Sequence, residues 1–198
     1  MKKALFCFAI VAASMLMVSC GNTGNNNGPS FATDSLTYDH YSWFTLKASV
    51  PQGKGYVITE DQPKAIADVA VSSMFYIVGD KVVIAINDFD SYTIAERKEL
   101  LQKNGLEKEK QGIEDVKVAG RNAFRWPYML LEGNELTKYG YYYEIDFSEY
   151  SQAGWGGYNM FEMIVYPADG QPNKIDDLLN DEEVKYILDN LVFTPREK

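Results

Sequence analysis

The sequence predicts an α+β domain: a twisted antiparallel sheet with helices packed on it. Three observations lead there. Apolar residues alternate at period two along most of the chain, and short turn signals join the alternating runs. Helical spacing occurs in only two places, one mid-chain and one near the C-terminus. No period of roughly 20–50 residues repeats, which excludes solenoids and propellers.

Trp43 to Val50 places Phe44, Leu46, Ala48 and Val50 on one side, as a half-buried strand does, and Pro51-Gln52-Gly53 ends it. Gly55 to Thr59 follows as a second, short strand. Ala67–Val78 and Lys81–Phe89 are rich in Val, Ile and aromatic residues and flank Gly79-Asp80, the pattern of a β-hairpin. Thr93 with Glu96 three residues on makes a capping box. Ile94, Leu100 and Leu101 give that helix an apolar face, and Gly105 stands where a terminal glycine belongs.

Val116 to Leu131 reads as a strand pair turning at Gly120-Arg121-Asn122. Pro127 demotes its second half to an edge position or a bulge. From Tyr139 to Phe147 the alternation puts Tyr139, Tyr141, Tyr143, Ile145 and Phe147 on one face. Tyr142, Glu144 and Asp146 fall on the other. Tyr158–Tyr166 is apolar on both faces, which predicts a central strand. Val184, Ile187, Leu188 and Leu191 then mark an amphipathic helix over about Asp181–Asn190, and Val192 and Phe193 close the domain.

The N-terminus is built differently. Lys2 and Lys3 precede a mostly apolar run from Ala4 to Val18, and after Cys20 the chain turns polar through Gly21–Ser30. A charged start, a short apolar stretch and small residues before the cut are the marks of a secretory signal. The run is shorter than the ~20 apolar residues that a bilayer-spanning helix needs. Leu16-Met17-Val18-Ser19-Cys20 resembles a bacterial lipobox, in which the cysteine is diacylated and becomes the first residue of the mature protein. That resemblance implies a signal peptide over residues 1–19 and membrane attachment through lipid on Cys20. Gly21, rather than an inner-membrane-retaining aspartate, follows the cysteine, which implies the outer membrane, on its periplasmic or its surface face. Residues 20–38 then read as a flexible tether and 39–198 as a single domain.

Composition narrows the function further. Cys7 departs with the signal, leaving Cys20 alone and no disulfide. The net charge is −9, and loss of Lys2 and Lys3 with the signal takes it to −11. That charge argues against nucleic acid as a partner, because phosphate neutralisation by Lys and Arg supplies most of that affinity. His40 is the only histidine, so a site with two or three histidine ligands cannot be assembled from one chain. Gly-x-Ser-x-Gly, Gly-x-Gly-x-x-Gly and P-loop patterns are absent from the sequence.

Three segments resemble the PsbP-like family of small extracytoplasmic lipoproteins. They are Ser49-Val50-Pro51-Gln52-Gly53 with Asp61 beyond it, Val116–Ala123, and Ile187–Phe193. Lys54 stands where that family often carries tryptophan. The resemblance spans about residues 42–194 and implies a non-enzymatic binding or accessory protein. It transfers no catalytic residue and no cofactor.

Carboxylates are the plentiful acid–base groups. Glu144 and Asp146 share a strand face at i and i+2, roughly 6–7 Å apart, a spacing open to a glycosidase-like pair or to ordinary surface polarity. Asn87, Asp88 and Asp90 offer oxygens to a cation but lack the EF-hand pattern, and helix capping accounts for the same residues. Asp176, Asp177, Asp181, Glu182 and Glu183 read as negative charge around a helix start. Aromatic residues are the larger surplus. Trp155 sits among glycines in Gly154–Gly157, and with Tyr158, Trp126 and Tyr142 it is the candidate contact for a partner or ligand. The expectation is a monomeric, metal-free envelope lipoprotein that binds another envelope protein. The alternative is a glycan or small apolar ligand held by those aromatic side chains.

Overall fold

The computed structural model describes residues 29–40, 44–149 and 158–195. Among these residues, ten strands form two antiparallel sheets. The smaller has the order β1-β2-β10, with β1 at Thr33–His40, β2 at Phe44–Pro51 and β10 at Leu191–Pro195. The larger has the order β3-β4-β5-β9-β8-β7-β6. Its strands are β3 (Val57–Thr59), β4 (Phe75–Val78), β5 (Val82–Asp90), β6 (Glu114–Val118), β7 (Arg121–Glu132), β8 (Glu135–Asp146) and β9 (Met160–Pro167). Helices α1 (Ile94–Asn104) and α2 (Glu107–Gln111) fall between β5 and β6, and α3 (Ile175–Leu178) and α4 (Glu182–Asp189) between β9 and β10. The α+β class expected from the sequence is present, with the strands divided between two sheets rather than held in one.

The main core lies between the sheets. Phe44, Leu46, Ala48 and Val50 of β2 bury the face that the alternation marked. They meet Phe75, Ile84, Ile86, Ile145, Phe161 and Met163 of the larger sheet, and Val184, Ile187 and Leu188 of α4 close one side. Strand β9 is the fourth of seven and buried along nearly its whole length, the central strand its composition predicted. A second cluster on the opposite face gathers Ile66, Tyr76, Val83, Tyr128, Tyr139, Ile164 and Tyr166. Residues 62–74, containing a 3-10 turn at Lys64–Ile66, strap across it. The Tyr128 hydroxyl donates to the Val69 carbonyl at 2.7 Å, and the Val71 amide donates to the Tyr166 hydroxyl at 3.3 Å.

Five local expectations are corrected. The tether does not reach residue 38: Thr33–His40 pairs with β2 over its full length, because Leu36 and Tyr38 pack on the core and Tyr38 stacks on Phe75 at 4.2 Å. The first arm of the Gly79 hairpin is a strand only from Phe75, and the preceding residues form the strap. The β6–β7 turn is Ala119-Gly120, one residue earlier than expected, with φ of 49° and 78°. Two consecutive positive φ values make a two-residue turn matched to strand twist, which is where glycine is needed. Gly105 ends α1 at φ −69°, so its left-handed freedom is unused. Finally, β8 carries a bulge: Tyr128 pairs with Gly140 but Met129 with Lys138, leaving Tyr139 as the extra residue. Tyr139 therefore turns to the second face, while Tyr143, Ile145 and Phe147 keep to the first. Gly140 beside the bulge lets β9 approach, since a Cβ there would lie 2.4 Å from the Val165 carbonyl oxygen.

Pro127 has the edge position offered for it, while the bulge falls on the partner strand β8 rather than on its own. Strand β6 pairs only with Arg121–Arg125, so β7 is an edge from Pro127 onward, and the register shift follows within two residues. The capping box of α1 is present in both directions, the Glu96 carboxylate accepting from the Thr93 amide at 2.8 Å. Helix α1 buries no residue completely, so its caps matter more than usual. Thr93→Ala is expected to lower stability by about 1 kcal/mol in urea denaturation. A loss indistinguishable from zero would mean that tertiary contacts alone hold the helix start.

Candidate functional site

The described aromatic candidates separate onto the two faces of the larger sheet. Trp126 and Tyr142 are register partners on β7 and β8, and their rings stack at 4.1 Å and 12°. Tyr128 meets Tyr142 edge-on at 5.3 Å and Tyr166 at 5.6 Å, so the stack joins the cluster under the strap. Trp126 is only 8% exposed, and its Nε1 is buried without a hydrogen-bond partner. Burial, with Glu162 nearby, pushes the Tyr142 phenol well above its ordinary pKa. Tyr158 packs against the inter-sheet core instead. The four aromatic residues expected to act together are therefore not one exposed patch: Trp126 is enclosed, Tyr158 lies on the other side, and Trp155 falls outside the described residues. Cys20 lies outside them too.

One step along the strands from Trp126–Tyr142 the same face becomes ionic. Phe124, Glu144 and Glu162 are successive register partners across β7, β8 and β9. Glu144 is 0% exposed. Arg97 reaches in from α1 and bridges two carboxyls, its Nε donating to Glu144 Oε1 at 3.0 Å and its Nη2 to Glu162 Oε2 at 3.2 Å. Glu162 Oε1 accepts from Asn87 Nδ2, and Glu144 Oε2 is left buried and unpartnered. Burial first, and Glu162 second, push the Glu144 carboxyl up from 4.5 to about 8. Lys98, the next residue of α1, sits over the Phe124 ring at 5.4 Å and pairs with Asp115.

Glu144 and Asp146 do not form a working pair in this arrangement. Asp146 is at the end of β8, where its carboxylate accepts the Ser148 amide at 3.0 Å. It lines an open depression of about 340 Å³ with Arg121, Asn122 and Glu149, which Glu144 does not reach. Acid–base chemistry at Glu144 would require α1 to lift, because Arg97 occupies the space before the carboxyl. The Asp90 carboxylate accepts the Tyr92 amide at 3.2 Å in the turn before α1, whose cap is Thr93 rather than Asp90. Asn87 is committed to Glu162, and the side chains of His40 and Asp88 lie outside the description. Among the described residues, no group of three or more His, Cys, Asp or Glu side chains is placed to hold a metal ion.

The C-terminal acidic group serves the fold. Asp181 caps α4 through the amides of Glu183 and Val184 at 3.0 and 3.3 Å. Lys81 joins Asp181 and Glu183 at 2.7 and 2.6 Å. Asp176 accepts from the Tyr141 hydroxyl at 2.8 Å and pairs with Lys138.

The Arg97–Glu162 half of the ionic cluster was not read from the sequence. One signal existed: Glu162 is a lone charge within the apolar run Met160–Tyr166, and a charge in a doubly buried strand needs a partner. No protein-family model matches this chain, and no curated protein matches it significantly.

Proposed function

We propose that this chain is a lipid-anchored envelope protein of PsbP-like fold that works by binding another envelope protein, without catalysis. The observation that carries the reading is the fate of its acid–base groups. Glu144 is sealed beneath α1 and bound by Arg97, so the most protected carboxyl of the domain serves its packing. Trp126 is likewise enclosed in its stack with half-buried Tyr142, which leaves loops and strand edges as the main surfaces to offer.

The fold assignment draws support from the local structure of its three segments. Ser49–Gly53 ends β2 in a turn, Val116–Ala123 is the β6–β7 hairpin, and Ile187–Phe193 passes from α4 into β10. Anchoring through Cys20 would leave residues 21–29 as the link, because Ser30 already bonds to Glu182 and Phe31 meets Tyr186 edge-on. Nine or so extended residues span at most about 30 Å, so the domain works close to its membrane.

In-cell cross-linking of the full-length chain, with a Cys20→Ser control, tests this. One dominant envelope protein that is captured by the wild type and lost without the anchor is expected. Capture of none, together with a tryptophan-fluorescence shift on adding soluble glycans that Trp155→Ala abolishes, would overturn it in favour of ligand binding.

A further inference from the structure

We propose that Glu144 and Glu162 share a single proton, and that this proton makes the buried cluster beneath α1 electrically neutral and the fold's stability dependent on pH. The geometry leads there by counting. Glu144 and Glu162 face each other on adjacent strands, at the separation of directly opposed side chains, about 5 Å between Cβ atoms. Three of their four oxygens are supplied with donors: Arg97 Nε, Arg97 Nη2 and Asn87 Nδ2. The fourth, Glu144 Oε2, is buried and has no partner. The Glu144 and Glu162 carboxyls interact as groups across the adjacent strands, but two carboxylates cannot bond to each other without a proton. A proton on Oε2 supplies the missing donor. It also leaves one negative charge, which the guanidinium cancels.

Few other charges are placed to do this. From α1, Lys98 lies over Phe124 and is engaged with Asp115. From β5, Asp90 acts on Arg97 and adds negative charge, and the register partner of Glu162 is Asp88. From β8 and β7 the neighbours are the neutral phenols of Tyr142 and Tyr128. Among the described residues, Arg97 is the one cation bonded to either carboxyl. Without the proton the cluster carries an uncompensated charge out of water, the costly arrangement for any buried pair.

The sign follows from linkage. Glu144 titrates near 4.5 in the unfolded chain and higher in the folded one, so between those values the folded state holds one more proton. Its contribution is fully present below the unfolded value and is lost as pH rises through the folded value. Asp169, Asp176 and Asp181 are shifted down by their lysine partners, joined by amides at Asp169 and Asp181 and by the Tyr141 hydroxyl at Asp176, and act oppositely, losing their contribution only in stronger acid.

Urea denaturation of the full chain from pH 5 to pH 8 tests the proposal. The wild-type folding constant is expected to fall by up to about tenfold per pH unit. Glu144→Gln, whose amide can donate where the shared proton did, should flatten that dependence, and Asp146→Asn should leave it intact. A flat wild-type profile, or an equal slope in Glu144→Gln, would overturn it. Should that variant not fold, infrared spectra of the wild type at pH 7 decide. A protonated-carboxyl band is expected, and its absence would count against the shared proton.

Discussion

Replacing Arg97 with alanine is expected to destabilise the domain by about 3–5 kcal/mol at neutral pH, and by less at pH 5. The residue makes charge-assisted bonds to two carboxyls at 3.0 and 3.2 Å, and one of those carboxyls is wholly buried. Its removal leaves an acid pair with no cation, which is worse than never having buried the pair. Lower pH relieves the defect, because neutral carboxyls need no counter-charge. Urea denaturation at pH 5, 7 and 8 measures this directly. An equal loss at every pH would assign the effect to packing of the arginine stem under α1 instead. Arg97→Lys should fall between, since one ammonium cannot reproduce the two-pronged bridge.

How far the sequence reached depends on the range of the forces involved. Local chemistry was legible: the Thr93–Glu96 box, the hairpin at Gly79, the amphipathic α4 and the alternating β2 all form. Each is specified by residues a few positions apart. Two features were not legible because they depend on pairings distant in sequence. Strand β1 looked like tether, since Asp34, Ser35 and Asp39 carry no strand signal of their own and docking of Leu36 and Tyr38 on a distant core orders them. The arrangement of β1 and β10 on either side of β2 brings together the two ends of the described chain, which no local pattern encodes. The site failed for the same reason. Glu144 was singled out, but its Arg97 lies 47 residues away and its Glu162 on another strand. A single bulge moved Tyr139 across the sheet, a one-residue event that strict alternation cannot anticipate.

The two-sheet arrangement has its own test at Phe161. This residue is fully buried on the central strand, with its ring 5.7 Å from Phe147 and 4.4 Å from Phe193 of β10. Phe193 in turn lies 5.7 Å from Phe44 of β2, so the group ties the larger sheet to the smaller one. Phe161→Ala is expected to cost about 3–5 kcal/mol, from lost burial and the cavity left behind. For a domain of this size that lowers Tm by roughly 10–15 °C. Leu131→Ala is the matched control, since that side chain is 68% exposed and its loss should stay within about 0.5 kcal/mol. The pattern of damage matters as much as its size. With the inter-sheet aromatic group broken, amides of β10 and β2 should exchange faster in Phe161→Ala, while Tyr128 and Tyr166 hold the strap cluster on the far face. Uniform acceleration across both faces would mean that the two clusters unfold as one unit and that the sheets have no separate stability.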